Sequence, residues 1–331
     1  MKRSYFYLIT VCFLILCLSI AFLFEISPSH REKGEVYFEV RPGQSSFEVA
    51  ENLKRQGLIK SKWLFVFFLK TSKGVIQAGT YQLNGSMNLF QIIAKIKSGQ
   101  VEEHTVTFPE GLTIKEMAEI LQKKNILLEE DFLKEASLVS QYQKRFPFLK
   151  EVRVNNLEGY LFPDTYRFSL HPKATEIVTK MLENFDRRVN QNLDDKIGQQ
   201  SLTLNEVVIL ASIVEREAKK EEDRPLIASV YLNRLKKGMK LEADPTIQYA
   251  KGNWQPITEA EYHSVDSPYN TYRYAGLPPG PIANPGLASI LAVLQPAKTD
   301  FLYFFHTKSG ETIYSMTNAE HEKKKQKYLL H

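Results

Sequence analysis

Two glutamates stand where a helix should be turning its apolar side inward. In the run Leu204-Asn205-Glu206-Val207-Val208-Ile209-Leu210-Ala211-Ser212-Ile213-Val214-Glu215-Arg216-Glu217-Ala218, every position from Val207 to Val214 is apolar or small, the pattern of a helix buried on nearly every side. Stepping back from Glu215 by four, seven and eleven residues gives Ala211, Val208 and Leu204, so Glu215 continues a core stripe. Glu217 continues another, through Ile213 and Leu210. A carboxyl group so placed loses hydration, which favours the protonated acid and allows proton donation near neutral pH. Breaking a glycosidic bond needs such a donor. The bland alternative is a glutamate at the emerging end of its helix, paired with Arg216, Arg234 or a lysine. Periodicity does not choose between the two glutamates.

Other chemistries find little to build on. No Gly-rich phosphate loop follows a strand, and H-E-x-x-H, G-x-S-x-G and S-x-x-K are all missing. The 7 histidines are scattered without ligand spacing, so neither a metal nor another cofactor is expected. The 2 cysteines, Cys12 and Cys17, lie together in an apolar N-terminal stretch, which rules out thiol catalysis and disulfide frameworks elsewhere. A net charge of +5 over 331 residues is too weak a field to suggest nucleic acid as partner.

The elements that would hold the glutamates begin beyond a membrane. Tyr5 to Phe24 carry no charge, and about 20 apolar residues are what a helix needs to cross the hydrocarbon core. Lys2 and Arg3 precede the run, which keeps the N-terminus cytoplasmic and sends the rest outward. The segment is longer than the apolar region of a signal peptide, and Phe22-Leu23-Phe24 continue past the small residues Ser19 and Ala21. An uncleaved single-pass anchor in the inner (cytoplasmic) membrane is therefore expected, with residues 5–26 in the bilayer and the remainder extracytoplasmic.

Past the anchor, two stretches repeat 68 residues apart: Gly43, Ala50, Leu53, Leu58 and Ile59 match Gly111, Ala118, Leu121, Ile126 and Leu127. Each copy reads as a strand (Val36 to Val40, His104 to Phe108), a Pro/Gly turn and an amphipathic helix. Gly79 to Leu83 reads as a strand and Leu89 to Ile96 as a helix, giving the order strand, helix, helix, strand, helix. That order resembles the LysM-like portion of certain wall enzymes. Helical spacing then covers Ala174 to Leu193, Asn205 to Lys220 and Arg224 to Lys236. A long loop-rich stretch follows, from Glu242 to Asn284. A short helix near Ser289, a hairpin of Phe301 to Phe305 with Thr312 to Ser315, and a basic helix from Asn318 complete the chain. The fold class is α+β, with residues 1–30 as tip, anchor and linker, 31–106 as LysM-like subdomain, 107–150 as second βα module and helical connector, and 151–331 as a mixed α+β catalytic domain.

Several long motifs resemble, in order, those of the endolytic murein transglycosylases, also called the YceG-like family. They are Leu157-Glu158-Gly159-Tyr160-Leu161-Phe162-Pro163-Asp164-Thr165-Tyr166, Ala211 to Glu217, Ala243-Asp244-Pro245-Thr246, Tyr269-Asn270-Thr271-Tyr272, Gly276 to Gly286 and Glu320-His321. Thr312 and Glu322 depart from the family's usual histidine and asparagine. The resemblance implies that Glu215 is the catalytic glutamate. It would protonate the oxygen between N-acetylmuramic acid and N-acetylglucosamine, then take the proton of the muramoyl C6 hydroxyl as that oxygen closes onto C1, leaving a 1,6-anhydro end. Glu158, Asp164, Glu217, Asp244, Thr246, Tyr269, Asn270, Tyr272, Asn284 and His321 are the expected supporting or glycan-contacting residues, with Pro278 to Pro285 as a cleft wall. The implied partners are nascent glycan strands and, beside the membrane, peptidoglycan synthases whose polymerisation the enzyme would terminate. A hydrolytic muramidase and a non-catalytic wall-binding adaptor are the alternatives.

Overall fold

A computed structural model describes residues 2–29, 34–198 and 202–329 of the chain. The chain divides into two compact units, one made of Met1–His104 with Arg167–Leu170, the other of Thr105–Tyr166 with His171–His331. The first opens with α1 (Lys2–Ile26), whose Tyr5–Ile26 stretch of 22 residues is long and apolar enough to cross a membrane. Then come β1 (Glu35–Val40), α2 (Ser46–Arg55), α3 (Lys62–Thr71), β2 (Gly79–Asn84) and α4 (Leu89–Ser98), in the order expected from sequence. β1 and β2 pair antiparallel with Phe38 opposite Tyr81, and the helices close over Phe38, Val49, Leu53, Phe65, Leu69, Tyr81 and Ile92.

The repeat is visible in the details of chain geometry. Gly43 and Gly111 both turn with positive φ, 82° and 80°, where a side chain would be strained. Ser45 caps α2 and Thr113 caps α5 (Ile114–Lys123), each through a reciprocal capping box with the glutamate three residues on, Glu48 or Glu116. Both helices also end alike, with Leu58 N–H donating to Leu53 and Ile126 N–H to Leu121. The strand of the second copy is β3 (Glu103–Thr107), which pairs with β4 (Thr165–Ser169).

In the second unit α6 (Glu129–Ala136), α7 (Val139–Tyr142) and a 3-10 turn at Pro147–Glu151 precede β4. After it, α8 (Ala174–Phe185), a π-helical turn (Asp186–Asn190) and α9 (Gln191–Gly198) form the long helical stretch. α10 (Leu204–Glu217) follows, capped by Thr203 and Glu206, and all its residues from Val207 to Val214 are buried. It packs against α11 (Arg224–Lys236), α12 (Asp244–Lys251) and α14 (Leu287–Leu294). The helix expected to reach Lys220 stops at Glu217, because Ala218 is extended (φ −68°, ψ 119°) and turns the chain back toward α11. The stretch from Glu242 to Asn284 is loop-rich, as expected, and carries two short helices, α12 and α13 (Glu259–Ser264). Six- and eight-residue helices show too few turns to reveal a period. β5 (Tyr303–His306) and β6 (Thr312–Ser315) form the antiparallel hairpin, and α15 (Asn318–Leu329) closes the described chain.

Candidate active site

α10 delivers both glutamates at its last turn, and the reversal into α11 surrounds them differently. Glu215 has only 6% of its side chain exposed. Its Oε1 accepts from Arg224 Nη2 at 3.2 Å and its Oε2 from the Gly286 N–H at 3.0 Å. Arg224 begins α11 and also donates through Nε to Ser289 of α14. The burial expected of Glu215 is present, and it comes with a cation, though not Arg216, Arg234 or a lysine. The tight turn from α10 to α11 places Arg224 against the helix end that carries Glu215. Glu110, an exposed residue, lays its carboxyl over Gly286, where a Cβ would collide with it. Burial and the neighbouring Glu215 both push Glu110 up from the usual carboxylate range.

Glu217 faces the other way and finds no arginine. Tyr231 of α11 donates its hydroxyl to Oε1 at 2.9 Å, and His306 Nε2 stands 4.0 Å from Oε2, too far for a hydrogen bond. Burial pushes Glu217 up to about 7, against the pull of the Tyr231 hydroxyl, with the charge of Asp244 adding to the rise. The imidazole is oriented from behind. His306 Nδ1 lies 3.1 Å from Thr312 Oγ1, directly across the hairpin, and Thr312 donates its own hydroxyl proton to Asp223 at 2.7 Å. Thr312 thus links the ring to Asp223, and Nε2 is turned toward Glu217. That atom is buried and unpartnered. Burial, with Lys219 nearby, lowers the His306 pKa and keeps the ring neutral. Tyr314 also donates to Asp223, at 3.0 Å.

The remaining residues singled out by sequence fall into three groups. Asp244 and Tyr272 belong with Glu217: the Tyr272 hydroxyl donates to Asp244 at 2.6 Å, and the Tyr262 ring lies 4.4 Å from that of Tyr272. Asn270 holds this loop in shape, donating to the carbonyls of Tyr262 and Val265 while accepting from Tyr272 N–H. Thr246 is fully buried and bonds the Ala243 carbonyl and Thr271, a scaffold position.

Glu158 and Asn284 form a second group. Glu158 is buried and accepts from the Ile114 N–H at 3.0 Å and from Asn284 Nδ2 at 2.8 Å. Asn284 in turn joins Leu161 N–H and the Leu112 carbonyl, so the pair ties three distant segments together. Burial pushes Glu158 up to about 8. It forms part of a cleft of about 290 Å³ with Thr113, Glu116, Tyr249 and Trp254, and Arg216 stacks on Trp254 at 3.5 Å. The Tyr269 ring packs 5.0 Å from Tyr249.

Asp164 and His321 lie apart from both groups. Burial pushes Asp164 upward, but Asn184, Thr165 N–H and Arg188 outweigh it and hold its pKa below the usual value. Placed just before β4, it is bonded to Asn184 of α8 and Arg188 of the π-helical turn. His321 packs on the Tyr303 and Phe305 rings of β5. Of the expected cleft wall, Pro278 and Pro279 line a cavity of about 570 Å³ with Asn205 and Ile209. Ile209 is eight residues before Glu217, about 12 Å along the helix, so this cavity is not the surround of either glutamate.

A buried carboxyl group pushed up to about 7, set beside a tyrosine hydroxyl and an imidazole, has the surroundings that general acid catalysis calls for. The YceG-like family model matches residues 38–327, and the chain belongs to that family. It is 36% identical over 313 residues to the endolytic murein transglycosylase of Bacillus subtilis (strain 168), covering 90% of this chain and 86% of that one. It is 32% identical to the protein of the same name from Streptococcus pneumoniae serotype 2, covering 85% of this chain and 56% of that longer one. A crystal structure of a yceG-like protein from Listeria monocytogenes superposes with a TM-score of 0.62 at 34% identity, covering 88% of this chain and 99% of that one.

Proposed function

We propose that this chain is an endolytic peptidoglycan lytic transglycosylase, and that Glu217 rather than Glu215 is its proton donor. The observation that carries the reading is a buried carboxyl group that accepts from a tyrosine hydroxyl and stands 4.0 Å from a histidine ring, in a chain similar over most of its length to an endolytic murein transglycosylase; burial pushes that carboxyl up to about 7. The resemblance of motifs alone puts the role on Glu215. The contacts favour its neighbour, because Glu217 is hydrogen-bonded to a tyrosine hydroxyl, whereas Glu215 is tied up by Arg224 and the Gly286 N–H.

In the proposed reaction Glu217 gives its proton to the oxygen between N-acetylmuramic acid and N-acetylglucosamine, and the C1–O bond breaks. The carboxylate so formed takes the proton of the muramoyl C6 hydroxyl while O6 bonds to C1. No water enters, and one carboxyl group serves twice because the steps are sequential. Tyr231 holds the carboxyl in place through Oε1, and the Asp223–Thr312–His306 chain fixes a neutral ring at Oε2. Asp244 and Tyr272 shape the same surround. Glu215 and Arg224 fix the junction of α10, α11 and α14.

The single apolar helix near the N-terminus supports a single-pass anchor with the N-terminus in the cytoplasm and both units outside. The βααβ order supports a LysM-like reading of the first unit, where a polar groove of about 320 Å³ runs past Glu39, Arg41, Gln44, Asn52 and Arg55. An enzyme tethered this way meets strands as they are made, which would let it end glycan polymerisation beside the synthases. Mass analysis of products from peptidoglycan treated with the full chain tests the reading. Ends lacking one water, the 1,6-anhydro form, are expected; reducing ends alone would mean a muramidase, and uncut strands an adaptor.

A further inference from the structure

α3 is apolar on all sides but buries only part of its circumference. Phe65 and Leu69 are enclosed in the core, and Leu64 and Phe68 pack partly against it. Trp63 and Phe67, four residues apart and so stacked on one helix face, are 67% and 57% exposed. Phe90 of α4 widens the face, its ring 4.8 Å from that of Phe68, which lies 5.2 Å from Phe67. A helix apolar all round belongs inside something, and a contiguous exposed apolar patch marks a binding surface.

What lies beside this face is the outer end of α1. Phe22 sits 6.1 Å from Phe68, and Ile26 packs on the same core. Lys60 places its ammonium 3.7 Å over the Phe24 ring, and donates to the Phe24 carbonyl at 2.9 Å and to Ser27 Oγ at 2.8 Å. These contacts tie the unit to the last turn of the helix. The 22 residues of Tyr5–Ile26 measure about 33 Å as helix, close to the roughly 30 Å of bilayer hydrocarbon. Phe22 is then about 6 Å from the outer end of the span, at the depth where aromatic belts form.

We infer that the Trp63, Phe67 and Phe90 face is seated in the interfacial layer of the lipid bilayer, so that the first unit lies on the membrane instead of standing off from its anchor. This rests on the reading of α1 as a membrane span. Lys70 and Lys73, both exposed at the C-terminal end of α3, suit the headgroup region, where lysines keep their ammonium groups in water while their stems lie on apolar surface. Lipid is the occupant the contacts favour, because α1 itself carries the face to that depth.

The chain has 2 tryptophans, Trp63 and Trp254, so a Trp254→Phe full chain reports on Trp63 alone. It is reconstituted in phosphatidylcholine and phosphatidylglycerol vesicles whose acyl chains carry bromine. Bromolipid should cut Trp63 emission at least about 2-fold, and aqueous acrylamide should quench it less than free indole. Should Trp254→Phe fold poorly, the difference between the unaltered chain and Trp63→Phe isolates the same signal. Alkaline carbonate washing separates the two readings. A chain that stays in the vesicles while Trp63 ignores bromine and quenches freely in water overturns the seating alone, and a chain washed off overturns the anchor and the seating together. Trp63 shielded from both quenchers would mean a protein occupant, and would also overturn lipid seating.

Discussion

Glu215 and Glu217 leave the same helix turn two residues apart, and their surroundings could hardly differ more. Glu215 enters a junction of three helices and meets Arg224, itself only 13% exposed, and a backbone N–H. Glu217 enters a space bounded by a tyrosine, a neutral histidine and the Asp244–Tyr272 pair. Burial removes water from both. Arg224 stands against the first, whereas burial pushes the second up to about 7. Two glutamates of one helix turn thus receive different partners, and the side chains that set them apart come from other elements.

The largest expected effect separates the two by activity. Glu217→Gln should lower strand cleavage about 10³-fold, within the range for loss of a general acid, while the purified chain at neutral pH melts no lower than the unaltered one, since the amide has no proton to lose. Equal activity in that variant would break the comparison. Glu215→Ala should do the reverse. Removing one partner of a buried ion pair costs about 3–5 kcal/mol, read as a lowered midpoint in urea, whereas the folded fraction should cleave within about 10-fold of normal. His306→Asn should reduce turnover about 10-fold and move the alkaline limb of the pH–rate profile with less change in KM, a signature that a merely structural histidine would not leave.

Acidity gives a further contrast. Burial raises Glu217 to about 7 and Glu158 to about 8, both above the ordinary glutamate value of 4.5. Groups raised in the folded state contribute stability that is complete below the unfolded value and is lost as pH climbs through the folded one. Stability should therefore fall between about pH 5 and 8, and denaturant titrations of Glu158→Gln should show a shallower slope across that window. The smallest effect is expected at Glu110. Burial and Glu215 together disfavour its charge, so Glu110→Gln should raise stability by a few tenths of a kcal/mol, about what a relieved surface repulsion yields.

Much of the frame could be read before folding. The repeat, the βααβ order and the limits of α11 follow from local periodicity and caps, which act within a few residues. The site was less legible, because its decisive contacts are long-range. His306 lies on a short hairpin strand, and nothing in that strand's alternation says it will meet a glutamate 89 residues earlier in the chain. Arg224 is nine residues from Glu215, but meets it only because Ala218 breaks the helix. Glu110 did leave a signal: the repeat pairs it with Pro42, so a carboxylate enters the second copy at a position where the first has none.

The central claim, that Glu217 keeps its proton near neutral pH, is most directly tested by carboxyl ¹³C titration of the glutamates in the folded chain, with Glu217→Gln identifying its resonance. The resonance that vanishes in that variant should titrate with a midpoint near 7. A midpoint near the ordinary 4.5 would leave Glu217 an anion at neutral pH and contradict its part as the acid.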